Sequence, residues 1–429
     1  MEFFGLLTNI LLSAAFWGAV IIAVLKILEI SGLKLPFRIP FSSFKEETIE
    51  IKEKTPYKEL ITGALILRLL TFLASILILR LFIKTEEPFN LNDVLEIWTK
   101  WDVGHYLNLA RSGYSLADNG RRVFVVFFPL YPYTVRIISF FTAGSTAAAG
   151  FLVSNLCFTA AVCYLYRLVR IDYSEKTARR SVLYLSIFPF AFFFGAPFSE
   201  SIFLLTLVMS MYYARKREWA LAGGFGALCA FSRMAGALCA LYIASEFCAE
   251  YRIFDKSTKN KLKLIFTKGI HAPLVALGTL AYMGINYIYT GNALEFMTLQ
   301  KEHWNTHAQY FGKTGGDLLV WTLSQDRMLQ AAVWLPSLVI LIFACVMLIY
   351  GARRHRPSDV IFLAAYVALS YIMSWPLSCP RYMTCAIPMF VFLAAFSEKR
   401  ETWHNYITAI FAAVYGIYLV AFLMGHQVM

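Results

Sequence analysis

Asp102 is the residue of this chain whose setting most favours chemistry. It follows Trp101 in a polar, aromatic loop spanning 84–125 and heads the run Asp102-Val103-Gly104-His105-Tyr106. That spacing predicts an amphipathic helix with Asp102, His105 and Tyr106 near one face, and with Trp101 and Tyr106 anchored in a membrane interface. Three more ionisable groups stand alone in apolar turns: Glu200 in Phe198-Ser199-Glu200, Arg233 in Ser232-Arg233-Met234, and Arg381 in Pro380-Arg381-Tyr382. Each could simply mark a helix end. Their common placement on the side of Asp102 argues for a shared site.

A carboxylate near a hydroxyl can take its proton as that oxygen attacks. A guanidinium presents a planar fork that matches phosphate oxygens and stabilises charge developing on them. One acid with several arginines facing one compartment therefore fits an anionic ligand held at a membrane surface. Arg381 and Arg233 are the first choices for that anion, with Arg121, Arg122 and His303 after them. Trp101, His105, Tyr106, Glu200, Trp304 and Tyr382 are the candidate substrate contacts. Loop 291–328 also carries His307, four residues after His303, so the two could share a helix face. No zincin glutamate lies between them and no third ligand is evident, so no metal is expected. Walker, Rossmann and nucleophile-elbow patterns are absent, and no cofactor is implied.

The elements that must position these residues are membrane helices. The chain has 429 residues, 59% of them hydrophobic and only 15% charged. A soluble domain has about 45–50% apolar and about 25% charged residues. This composition excludes a soluble enzyme, a disordered chain and a disulfide-built module. Apolar stretches fall near 3–28, 60–83, 147–166, 181–197, 270–290, 329–350, 359–376 and 405–424, with shorter ones near 199–214 and 383–397. Residues 219–250 read as a hairpin with its tip at Arg233, and 127–142 as a segment that dips in or lies on the surface. The expectation is an all-α polytopic bundle of about twelve crossings. The first stretch is too long for the apolar region of a cleaved signal peptide. The net charge of +12 gathers in loops such as 34–58, 167–180 and 251–268, which places those loops in the cytoplasm and makes nucleic acid an unneeded partner. Loops 84–125 and 291–328 then fall outside. The chain divides into an N-terminal helix and cytoplasmic loop, 1–59, which could rest on anionic lipid, and a catalytic bundle, 60–429.

The motif order resembles the family of the second GPI mannosyltransferase, PIG-V, and its prokaryotic relatives, among the GT-C membrane glycosyltransferases. The matching elements are Trp101-Asp102 with Tyr106 and Gly113-Tyr114, Phe127-Phe128-Pro129-Leu130-Tyr131-Pro132, Phe198-Ser199-Glu200, Ser232-Arg233-Met234-Ala235-Gly236 and Pro380-Arg381-Tyr382. The resemblance covers about residues 95–390. It implies a GT-C-like helical bundle with an interfacial helix in the first outer loop. It also implies a polyprenyl-phosphate-linked sugar donor, usually mannose, and inverting transfer on the non-cytoplasmic face with Asp102 as base. The acceptor would be a lipid, glycan or protein, and the location a cell membrane, or the endoplasmic reticulum in a eukaryote. A transporter or flippase of lipid-linked sugars would also need arginines and a polar cavity, and stays open at this point, as does a non-catalytic scaffold.

Overall fold

In hydrocarbon every backbone N–H and C=O needs a partner, so long apolar runs free of proline fold as helices. The structure, a computed structural model, describes residues 2–37, 39, 54–84, 88, 90–116, 120–304 and 307–428. Most of segment 33–59 lies outside the described residues. The chain begins with α1 (Glu2–Ile30) and α2 (Tyr57–Ile78), the latter continued by a π-helical turn. The first loop holds α3 (Leu91–Ile97) and α4 (Asp102–Ser112). There follow α5 (Leu130–Ser139), α6 (Thr146–Val169), α7 (Glu175–Ile187), α8 (Glu200–Arg215), α9 (Trp219–Ser232) and α10 (Leu238–Glu250). Next are α11 (Thr258–Thr267), α12 (Leu274–Thr290), α13 (Glu295–Trp304), α14 (Phe311–Ser324), α15 (Arg327–Leu329) and α16 (Leu335–Arg354). The last are α17 (Pro357–Ser370), α18 (Cys379–Tyr382), α19 (Ile387–Ser397) and α20 (Glu401–Leu423). Among the described residues no strand forms, and one isolated bridge joins Ala308 to Met373. The all-α expectation holds.

Helix length and apolarity alone do not reproduce the expected count of about twelve crossings. Among the described residues five helices are long and apolar enough to span a membrane, or up to seven if two bent pairs each count as one. Several helices that the hydropathy pattern suggested as spans are too short, α9 and α17 among them. Of these, α17 has no exposed residue, whereas α9 exposes Ala220, Leu221, Gly224 and Leu228. α8, flanked by α6 and α9, is buried nearly all round. The predicted span 181–197 is not one helix. Helix α7 stops at Ile187 because Phe188 precedes Pro189 and takes an extended conformation, φ −52° and ψ 142°. The chain then runs irregularly to Ser199 through a buried series of phenylalanines. Irregular backbone at this depth survives only if its polar groups are paired by protein. Arg68 Nη1 donates to the Ala191 carbonyl (3.1 Å), Asn155 Nδ2 to that of Gly195 (3.3 Å), and Ser201 Oγ to that of Phe194 (2.7 Å). Arg68 thus meets a carbonyl, and its guanidinium carbon lies 4.0 Å from the centre of the Phe158 ring.

The other predicted irregularities take definite form. Residues 127–142 contain the short helix α5, packed on α4 and α6, and end at the exposed Phe140 and Phe141. Residues 219–250 form the expected hairpin of α9 and α10. Gly236 makes its turn possible, since a Cβ there would collide with the Cys229 backbone. Helix α1 packs along α14, where Gly5 and Gly316 bring the two backbones together.

Candidate active site

Asp102 is the first residue of α4, and Glu200 the first of α8. The positive end of each helix dipole favours a carboxylate there. Arg233 sits at the break between α9 and α10, and Arg381 in the short helix α18. These four residues, from 33 to 279 positions apart in sequence, meet. Arg381 Nη2 donates to Asp102 Oδ2 at 3.0 Å, and its Nε lies 3.2 Å from Glu200 Oε1. Arg233 Nη1 reaches the same Glu200 oxygen at 2.6 Å. Asp102 and Arg233 do not join helix ends to water separately; they belong to one ionic chain.

Aromatic faces hold the two guanidinium groups. The Arg381 guanidinium carbon is 5.0 Å from the Phe198 ring centre and 5.3 Å from that of Tyr382. Arg233 lies 4.7 Å from the same Tyr382 ring. Exposure decides which member meets a ligand. The Glu200 side chain is 1% exposed and that of Arg381 5%, whereas Arg233 keeps 18% and Asp102 28%. The cluster is a sealed base with Asp102 at its open edge. It is also incompletely satisfied: Arg381 Nη1 and Glu200 Oε2 are buried without a hydrogen-bond partner. Trp101, just before Asp102, has φ 52°, a left-handed conformation strained for a tryptophan, and its buried Nε1 also lacks a partner.

Other candidate residues divide. Tyr106 lies beside the cluster, but it is no interfacial anchor. Its hydroxyl meets Ser199 Oγ at 3.0 Å and its ring packs on Phe127, Tyr131 and Phe198. His105 stacks on Phe124 and Phe127 instead. Arg121 does not point to the cluster: it bridges Glu295 (3.1 Å) and Glu302 (2.6 Å) of α13. Arg122 donates to the Tyr114 carbonyl and lies over Tyr289. Arg121 thus clasps the first loop to α13, and Arg122 clasps it to the end of α12. Near the start of the first loop, Lys84 and the Asn90 amide hold the Asp93 carboxyl below its ordinary range. His303 is exposed on α13, and His307 lies beyond its end, bonded to Ser374. The pair therefore does not share a helix face, because His307 is not helical and its backbone N–H donates to Ser374 Oγ. The Trp304 side chain lies outside the described residues. No group of three potential metal ligands occurs among the described residues.

Sequence reasoning passed over Ser199, which fastens Tyr106, and the phenylalanine run 188–198, whose density was the available signal. Arg215 and Arg356 stand in the basic runs Arg215-Lys216-Arg217 and Arg353-Arg354-His355-Arg356, which read in sequence as loop charges. They are buried: Arg215 Nη2 donates to Asp172 Oδ1 at 2.6 Å, and both arginines approach Glu246, at 3.3 and 3.4 Å.

A mannosyltransferase profile matches part of the chain. It describes dolichyl-phosphate-mannose-protein mannosyltransferases and covers residues 128–283, which contain Glu200 and Arg233. It is not the family whose motif order the sequence resembles. No curated protein matches the chain in sequence. Among solved structures, an oligosaccharyltransferase AglB from Archaeoglobus fulgidus, in complex with an inhibitory peptide and a dolichol-phosphate, is 14% identical with a TM-score of 0.41. That alignment covers 87% of this chain and 56% of the archaeal one. The apo form of the Archaeoglobus fulgidus oligosaccharyltransferase aligns at 12% identity and a TM-score of 0.42, over 89% of this chain and 56% of that one. The chain thus spans little more than half the length of these enzymes.

Proposed function

We propose that this chain is a membrane glycosyltransferase of GT-C type. It moves a sugar, with mannose the first to test, from a polyprenyl-phosphate donor to an acceptor hydroxyl on the non-cytoplasmic face. The observation that carries the proposal is the ionic chain Asp102–Arg381–Glu200–Arg233, open at Asp102 and unsaturated at Arg381. The mannosyltransferase profile over residues 128–283 supports the choice of sugar, and the motif order supports the lipid phosphate.

In the proposed reaction the acceptor oxygen forms a bond to the anomeric carbon as the bond from that carbon to the phosphate oxygen breaks. The hydroxyl proton passes to the Asp102 carboxylate, and the bonding electrons leave with the prenyl phosphate. Attack opposite the leaving group inverts the anomeric configuration. Asp102 suits the base because it is the most exposed member of the cluster. Base assistance of this kind is worth about 10²–10⁴ in rate. Arg381 and Arg233 neutralise the growing phosphate charge where water is scarce, and one good donor contributes about 3–4 kcal/mol. His105 and Tyr106, packed on neighbouring rings, and Tyr382, beside both arginines, shape the wall next to the reacting sugar. The acceptor remains a lipid, glycan or protein hydroxyl.

The test is purified protein in nanodiscs given a panel of prenyl-phosphate sugars, with release of prenyl phosphate measured. Sugar-dependent release from one donor is expected. Movement of a fluorescent lipid-linked sugar across the bilayer with no release from any donor would replace this reading by transport.

A further inference from the structure

Glu200 has no part in the proton transfer just described, yet it is the most buried member of the cluster and both arginines converge on its Oε1. Arg381 also holds Asp102, so the proposed base is engaged by the group meant for the phosphate. A donor sugar cannot lie between two groups in direct contact at 3.0 Å. Arg381 must exchange one anion for another, and something has to hold it while it does.

We propose that Glu200 is the positioning residue of this site, a fixed counter-ion that keeps Arg233 and Arg381 in place while Arg381 exchanges Asp102 for the donor phosphate. This rests on the glycosyltransferase reading above. Several features favour it. Glu200 is anchored at the start of α8, where the helix dipole stabilises its charge. Its Oε2 is buried with no hydrogen-bond partner, leaving acceptor capacity for a guanidinium that moves. Arg381 Nη1 is likewise a buried donor without a hydrogen-bond acceptor, available to an entering phosphate oxygen. The rings of Phe198 and Tyr382 keep the Arg381 plane over the same place as its Nη2 changes partner. Two carboxylates and two guanidinium groups are neutral together. An entering phosphate turns that balance negative, and the carboxylate it displaces is the exposed one, Asp102. The base is thereby freed only after the donor has bound, so donor binding precedes acceptor activation.

Glu200→Gln tests this through a split between affinity and turnover. Without the Glu200 charge the arginines attract phosphate more strongly, while Arg381 has no other carboxylate and keeps hold of Asp102. In nanodiscs, Kd for a polyprenyl monophosphate should fall about threefold or more, and kcat should fall about tenfold, with donor KM not raised. Glu200→Asp, which keeps the charge, should return the affinity to within about twofold of the parent. A raised donor KM at unchanged kcat would make Glu200 a direct sugar contact and overturn the proposal, as would no change in either quantity. If Glu200→Gln does not fold, Asp102→Asn decides. Releasing Arg381 from Asp102 should tighten polyprenyl monophosphate binding by about threefold, and an unchanged Kd would refute the exchange. Parent protein that binds no polyprenyl phosphate would instead remove the donor reading itself.

Discussion

Helix α8 carries an ionic cluster at each end, and the two are built from the same residue types to opposite effect. About 22 Å separates Glu200 from Arg215 along its axis. At the Arg215 end every charge is sunk: side-chain exposure is 5% for Arg215, 7% for Glu246, 9% for Arg356 and 11% for Asp172. Arg215 takes both oxygens of Asp172, and Ser358 donates to Glu246. The space left beside them, next to Asp359, is a cavity of about 20 Å³, room for a single water. At the Glu200 end the chain of ion pairs terminates at a 28% exposed carboxylate and leaves a donor and an acceptor unused. Buried charges cost several kcal/mol unless paired. A cluster that buries and pairs all its charged groups holds helices together, even though Arg356 Nε makes no hydrogen bond. One that leaves a buried donor unpaired, and exposes an acid, has the features that the proposed donor site requires.

The largest effect should come from the open edge. Asp102→Asn is expected to fold and insert normally and to lose about 10²–10⁴ of the transfer rate, read as prenyl phosphate release. Near-parental turnover would remove Asp102 as base. Arg381→Ala should follow, losing about 10²–10³ in kcat, and Arg381→Lys should not rescue it, because a point charge cannot span two acidic partners as a planar fork does. At the other end of α8, Arg215→Ala should act on stability alone. Leaving buried Asp172 and Glu246 without that partner is expected to cost about 3–5 kcal/mol, seen as a lowered Tm in detergent, while kcat/KM of the folded fraction stays within about twofold. Loss of turnover without loss of Tm would erase the contrast between the two clusters. Smallest of all should be Arg121→Ala. Its pairs with Glu295 and Glu302 lie at the surface, so donor KM should change by less than about twofold, and less still at high salt.

The members of the open cluster were legible one at a time. Glu200, Arg233 and Arg381 stood out because each is charged within an apolar turn, and Asp102 because of its aromatic loop. The closed cluster was not legible: Arg215 begins Arg215-Lys216-Arg217, a run that reads as an ordinary cytoplasmic turn. Only packing separates Arg215, 5% exposed, from Arg217, 64% exposed two positions on. Hydropathy likewise misjudged 181–197, since an apolar run looks the same whether it is helical or irregular, and here Pro189 and the side chains of Arg68, Asn155 and Ser201 decided the outcome.

Composition by itself determined that this chain is helical and lives in a bilayer, because so many apolar side chains have nowhere else to go and lipid leaves the backbone no other partners. Local pattern determined the hairpin at Arg233 and the helix beginning at Asp102. Tertiary structure alone decided which charges meet. A guanidinium finds its carboxylate through space, and the pairing of Arg381 with both Asp102 and Glu200 depends on three helix ends arriving together, which no spacing along the chain encodes.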